Sequence, residues 1–332
     1  MAKDKYKIRL SGLTYYSLRD DMYAFNFIKE NGMPNQNNFY NKLISGFYSN
    51  FKYRQSALND YICNELSFYV KDENKLVSIA DNLNTKINEI YHSDFNSKYH
   101  NFEIYIYPTK ETIPMYDEIE NNALNKESMS EFIRNLLNEY VKAPFFERER
   151  CLYWNHIVKI KEAISEQKVI LIKNTRNTEI YLQPLDIFPS AEETYNYVVG
   201  KNITNNSNAN FSIKLSRIKS ITILNKYYNF SREDYENFKL QLLNGPEFMC
   251  KETKHAVVKF SKEGIKKFDS CYKDRPVPTD YNDETGKYIF DTDLNKLYLY
   301  LLQFGRHVKI IEPKELKNKL NTFHKLAIDE DE

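Results

Sequence analysis

The chain opens on an alternation. Tyr6, Ile8 and Leu10 are apolar, while Lys5, Lys7 and Arg9 between them are basic. A period of two predicts a short strand with one apolar and one basic face. A helical pattern follows from about Tyr15 to Glu30, closed by Asn31-Gly32 and Pro34. A second helix is predicted from about Asn37 to Lys52, with Phe39, Leu43, Ile44, Phe47 and Tyr48 on one side.

The same order then recurs. Phe102, Ile104 and Ile106 alternate with Glu103, Tyr105 and Tyr107, a second strand. A helix is predicted from about Ile113 to Asn122. Ser128-Met129-Ser130-Glu131 reads as a capping box opening another, with Phe132, Leu136, Leu137 and Tyr140 on one face. Phe39, Leu43, Ile44 and Phe47 align with these four at one constant offset. Strand, helix, helix resembles a ribbon–helix–helix unit. A lone strand has an unpaired edge and too small a core, so two copies in one chain are expected to build the ribbon internally. The alternative is two unrelated helical hairpins. Further helices are predicted between the copies, at about Ser56–Val70 and Glu73–Tyr91.

From Cys151 the texture changes. Trp154 to Ser165 predicts a helix carrying Ile157, Ile160, Ala163 and Ile164. Short strands follow at Lys168–Ile172, Glu179–Leu182, Tyr197–Val199, Ser212–Leu215 and Ile218–Leu224, spaced as in a small barrel. The last third alternates strands (Ala256–Phe260, Lys287–Phe290, Val308–Ile311) with helices (Lys262–Phe268, Asp293–Phe304, Lys314–Leu326), a small α+β layer. The expected domains are therefore 1–150, 151–230 and 231–332.

Composition narrows the function. The 332 residues carry 47 basic and 46 acidic groups, a net charge of +1, which excludes a uniformly cationic coat but allows a local patch. Residues 151–230 hold 10 basic and 6 acidic groups, and no Asp or Glu falls between Glu193 and Glu233. That window carries Lys201, Lys214, Arg217, Lys219, Lys226 and Arg232, interleaved with Tyr195, Tyr197, Phe211, Tyr227 and Tyr228. Cations with flat rings are the chemistry of single-stranded nucleic acid: charge for phosphates, rings for unstacked bases. The plainer reading is a solvated strand face whose rings are core. Lys5, Lys7 and Arg9 make a second candidate surface, against the same plain alternative.

Enzyme signatures are missing: there is no GxxxxGK[ST], HExxH or GxSxG. The six histidines and four cysteines show no metal-ligand spacing. No enzyme activity, metal or cofactor is therefore expected. No apolar run approaches a membrane span of roughly 20 residues, no secretory leader is evident in MAKDKYKIRL, and the cysteines form no CxxC pair. A cytoplasmic protein with reduced thiols is expected.

The middle and last thirds resemble a known family. Leu152-Tyr153-Trp154 leads into Ile160-Lys161-Glu162-Ala163-Ile164. Gln183-Pro184-Leu185, Tyr195-Asn196-Tyr197-Val198-Val199-Gly200 and Lys214-Leu215-Ser216-Arg217-Ile218 follow. This ordered set resembles a WYL domain, with Asn196-Tyr197-Val198 where the family has Trp-Tyr-Leu. The arginine usual before the Pro-Leu strand end is absent, with Ile180 near its place. The resemblance implies an Sm-like β-barrel and carries Tyr197, Lys214 and Arg217 over as binding residues. The run 298–305 with Val308–Leu316 resembles the extension that follows such domains, implying dimer and ligand contacts. A ribbon–helix–helix start joined to one WYL domain resembles the accessory WYL proteins of type VI-D CRISPR–Cas systems. That implies a homodimer that binds single-stranded RNA and stimulates an RNA-guided, RNA-cleaving effector. Two alternatives stay open: a ligand-sensing WYL regulator whose ribbon binds duplex DNA, and a protein-interaction scaffold. Glu103 on the second strand argues against duplex DNA, because it would face a polyanion.

Overall fold

The computed structural model describes residues 5–92, 101–122, 124 and 128–329. The chain divides into two compact units, Met1–Asn155 and His156–Glu332. Three antiparallel sheets and the helices around them give a multidomain α+β architecture.

In the first unit, β1 (Tyr6–Leu10) leads into α1 (Gly12–Ala24), α2 (Gln36–Leu66) and α3 (Glu73–His92). Then come β2 (Phe102–Ile106), α4 (Ile113–Asn122), α5 (Met129–Lys142) and α6 (Phe145–Leu152). The two strands pair antiparallel, with Tyr6 opposite Ile106, Ile8 opposite Ile104 and Leu10 opposite Phe102. The alternation sends Tyr6, Ile8, Leu10, Ile104 and Ile106 inward, where all are buried. Coverage is crossed: α5 packs on β1 and α2 packs on β2. Each strand is thus covered by a helix that follows the other strand in the chain. Phe39, Leu43 and Ile44 of α2 and Ile133, Leu136 and Leu137 of α5 are buried.

Element ends differ from the sequence reading for local reasons. The Ser11 hydroxyl accepts from the Thr14 amide at 3.2 Å, so α1 starts at Gly12. It stops at Ala24, just before Asn26 turns the chain with φ 64°. α2 is one helix of 31 residues where two were expected, because no Gly or Pro after Gly46 interrupts it. Ser128 caps α5 by accepting from the Glu131 amide at 3.3 Å.

A buried polar cluster ties three helices together. Arg148 of α6 donates to both oxygens of Asp21 in α1, each at 2.9 Å. The Tyr140 hydroxyl of α5 donates to Asp21 Oδ2 at 2.8 Å. Burial pushes the Asp21 carboxyl up to about 6, against the opposing pull of Arg148 and Tyr140. Gly46 lies where α2 crosses α6: a Cβ there would sit 1.8 Å from the Cys151 carbonyl oxygen.

The second unit begins with α7 (Trp154–Ser165), whose first two residues fall before the division. It continues through β3 (Lys168–Asn174), β4 (Glu179–Pro189), β5 (Asn196–Asn202), β6 (Ala209–Lys214), β7 (Ile218–Tyr227) and α8 (Arg232–Leu242). The remaining elements are β8 (Lys254–Phe260), α9 (Lys262–Ser270), β9 (Asp280–Asn282), β10 (Lys287–Thr292), α10 (Leu294–Leu301), β11 (Val308–Glu312) and α11 (Lys314–Asp329). One sheet has the order β6-β5-β4-β3-β7, the other β11-β8-β10-β9.

The five-stranded sheet corrects the expected barrel. It is not closed: among the described residues β6 pairs only with β5, and β7 only with β3. It is nevertheless curled. Four spacings of about 4.8 Å would hold β6 and β7 roughly 19 Å apart if the sheet were flat. They are joined by a single 3₁₀ turn, Leu215–Arg217, and the four residue steps from Lys214 to Ile218 reach at most about 14 Å. The edges must therefore bend toward each other at that end. A bulge in β4 between Pro184 and Asp186 assists the bend and accommodates a proline inside a strand. Opposite it, Gly200 lets the strands approach: a Cβ would lie 2.1 Å from the Gln183 carbonyl oxygen. The four-stranded sheet has its own core, with Phe260, Phe268, Phe290, Leu301, Phe304 and Leu320 among its buried members.

Two outcomes follow for the first unit. Gly46→Ala forces overpacking against main chain, a cost of about 1–3 kcal/mol, and should lower Tm by about 3–10 °C in a calorimetric scan. The Asp21 carboxyl titrates higher folded than unfolded, so folding takes up a proton there. Its contribution to stability falls as pH rises from about 4 to 6. Asp21→Asn should remove that slope from urea-unfolding free energies measured across the window.

Candidate nucleic-acid interface

The outer face of the ribbon carries what the alternation leaves in solvent. Lys5, Lys7 and Arg9 project from the first strand and its approach, and Glu103 and Tyr105 from the second. Register places Lys7 opposite Tyr105 and Arg9 opposite Glu103. Lys7 Nζ lies 2.8 Å from Glu103 Oε1, and Arg9 Nε lies 3.2 Å from the same oxygen. The hydrogen bond from Lys7 holds the Glu103 carboxyl below its ordinary range, and Glu103 raises the Lys7 ammonium in return. Glu103 is therefore neutralised rather than presented, which changes the objection it raised to a polyanion. Lys5 Nζ sits 5.4 Å from the Tyr105 ring centroid. Tyr105 and Tyr107 stay 42% and 49% exposed. The face thus holds three cations, one paired carboxylate and two accessible rings.

Main-chain anchors fix its far end. Asn37 of α2 donates to the Tyr107 carbonyl at 3.1 Å and accepts from its amide at 2.9 Å. Asn41 donates to the same carbonyl at 3.0 Å. Asn37, at the start of α2, is thus occupied in holding the strand.

The window around β5 and β6 is arranged differently. Tyr197 and Lys214 are register partners on adjacent strands, so they share a sheet face, with Val199 and Lys201 following at alternate positions. That face is covered. Val199 packs with Phe230, Phe238 of α8 and Met249. Tyr195 and Tyr197 are only 8% and 9% exposed. Lys201 forms an ion pair with Asp234 of α8, both side chains mostly buried. Lys214 places its ammonium 3.2 Å from the Tyr195 ring centroid. The Tyr228 hydroxyl donates to the Pro184 carbonyl oxygen. Tyr195 and Tyr197 are thus buried, and Tyr228 packs against the cluster that Phe238 of α8 and Met249 complete.

Four cations of the window remain at the surface, Arg217, Lys219, Lys226 and Arg232. Arg217 is exposed in the turn between β6 and β7. Lys219, on β7, is exposed and donates to Asn177 Oδ1 at 3.0 Å. Tyr227, at the end of β7, is 67% exposed and stacks under Lys168 at 5.7 Å. The structure therefore gathers Lys5, Lys7 and Arg9 with two tyrosines on one face. It separates Tyr197, Lys201 and Lys214 from the open cations Arg217 and Lys219. Among the described residues no group of three or more His, Cys, Asp or Glu is placed to hold a metal ion, and no helix is long and apolar enough to cross a membrane.

The fold has a counterpart among solved structures. A crystal structure titled as a CRISPR Cas-related protein superposes with a TM-score of 0.71 at 17% identity. It covers 99% of this chain and 94% of that one. At this identity the likeness shows the fold alone. Proteasome accessory factor B/C (PafBC) of Arthrobacter aurescens aligns over 66% of this chain and 35% of its own, with 14% identity and a TM-score of 0.25; that superposition carries no argument. No sequence-family model matches the chain, and no curated protein matches it significantly.

The buried position of Lys201 predicts a structural role. Lys201→Ala removes the ion pair and leaves Asp234 its cap contact to the Ser231 amide; it should cost about 1.5–3 kcal/mol, read as a lowered urea midpoint. Arg217→Ala should leave that midpoint within about 0.5 kcal/mol of the parent, as an exposed surface change.

Proposed function

We propose that the protein is a non-enzymatic, nucleic-acid-binding accessory of a CRISPR system, and that its ligand is single-stranded RNA. The observation that carries the reading is the ribbon's outer face, where the cations of one strand lie beside the solvent-facing tyrosines of the other. Ammonium and guanidinium groups hold phosphates, and flat rings accept unpaired bases. A duplex keeps its bases stacked on one another and offers such rings little. Reading base edges in a major groove needs free donors and acceptors on both strands. Here the carboxylate of the second strand, Glu103, is held by Lys7 and Arg9. The full-length likeness to a CRISPR Cas-related protein supports the setting, and the proposed action is stimulation of an RNA-guided, RNA-cleaving effector, with the protein working as a homodimer through its C-terminal region.

The test is a titration against labelled single-stranded RNA, single-stranded DNA and duplex DNA at several salt concentrations. Lys7→Ala with Arg9→Ala should weaken RNA binding at least tenfold. The slope of log affinity against log salt should fall by about 1.5 for two lost phosphate contacts, at ~0.7 each. Tyr105→Ala with Tyr107→Ala should weaken binding by about 1–3 kcal/mol per lost stack while leaving the salt slope alone. Preferential binding to duplex DNA would instead establish the regulator reading, and a flat titration against all three would leave only the scaffold.

A further inference from the structure

The C-terminal region holds a cationic groove that the ribbon does not explain. It lies between β11, an edge strand of the four-stranded sheet, and α11. Its volume is about 390 Å³, within the range of small-ligand clefts. Arg306, Lys309, Lys317, Asn321 and His324 line it. Lys317, Asn321 and His324 stand at i, i+4 and i+7 on α11 and so share one face of the helix. Arg306 and Lys309 come from the entry to β11 and from the strand itself. The rest of the lining is Gly305, Val308, Ile310 and Leu320, so no carboxylate is present.

The charge in this groove is uncompensated. Among the described residues Arg306, Lys309 and Lys317 form no ion pair. Elsewhere in this region carboxylates do reach lysines: Lys254 lies by Glu315 and Lys266 by Glu263. Like charges gathered around a concavity repel one another unless an anion joins them. An edge strand needs a single charge to discourage pairing. Three permanent cations, a histidine and an amide converging from two elements exceed that need. A phosphate monoester, with a charge of about −1.5 to −2 near neutral pH and three acceptor oxygens, matches the donor set. The apolar side chains of the lining offer contact to a planar or apolar remainder.

We propose that this groove binds a phosphate monoester of about one nucleotide in size. The phosphate is held by Arg306, Lys309 and Lys317. The same chemistry is offered by a free nucleotide and by the phosphorylated end of a nucleic-acid strand. The site is independent of the ribbon and does not require the RNA reading to hold.

Calorimetric titration of the full chain with AMP and with adenosine tests it. AMP should bind saturably with one site per chain, and adenosine at least tenfold more weakly. Lys309→Glu with Lys317→Glu should weaken AMP at least tenfold with Tm unchanged, and the milder Lys309→Gln with Lys317→Gln should weaken it in the same direction. Lys7→Ala with Arg9→Ala should leave AMP affinity as it was, which separates this site from the ribbon. Displacement of AMP by a 5′-phosphorylated trinucleotide but not by its 5′-hydroxyl form assigns the site to a strand end. Displacement by neither assigns it to a free nucleotide. No saturable AMP binding at millimolar concentration, or AMP binding indifferent to both groove variants, would overturn the proposal.

Discussion

The first unit depends on one pairing. Tyr6–Leu10 must find Phe102–Ile106 across more than ninety residues of chain. Among the described residues neither strand has another partner, so the ladder satisfies main-chain groups that would otherwise be open on both sides. Closing so long a loop costs conformational entropy before any contact offsets it. The offset comes from the inward residues, which bury an apolar stripe under α2 and α5. Crossed coverage makes the arrangement cooperative: removing either helix uncovers the strand that does not lead into it. The Asp21–Arg148–Tyr140 cluster then joins α1, α5 and α6 behind that stripe.

The ribbon was the most legible part of the sequence. A period of two with buried Ile8, Ile104 and Ile106 leaves little freedom about which residues face out, so Lys7, Arg9 and Tyr105 were assignable from pattern alone. The Lys7–Glu103 contact was not, because it depends on register, and register across ninety residues is set by three-dimensional closure. The long helix α2 was divided in the sequence reading because its apolar pattern lapses, although nothing near Lys52 breaks a helix. α8, absent from the pattern-based expectation, starts on a full capping box, Ser231 with Asp234.

That omission had consequences for the candidate site. Basic and aromatic residues interleaved in a window free of acid look alike whether a face is open or covered. Periodicity places Tyr197, Val199 and Lys201 together but says nothing about what lies above them. α8 and the residues after it supply the cover, and Asp234 supplies the carboxylate that the window itself lacks. Local absence of acid in sequence is thus not absence of acid in space. The groove between β11 and α11 is the converse case. Its cations are scattered over some twenty positions that also contain Glu312 and Glu315, so no window count singles them out, and only the fold brings them to one concavity.

A ribbon assembled from one chain escapes a restriction that binds ribbons made by identical subunits. Two copies of one strand must present the same side chains, related by a twofold axis, and are suited to palindromes. Here the two strands differ: one edge is cationic, the other aromatic and singly acidic. Such a surface has a polarity. A ligand with direction of its own, as any single strand running 5′ to 3′ has, meets different chemistry when it is laid across in reverse.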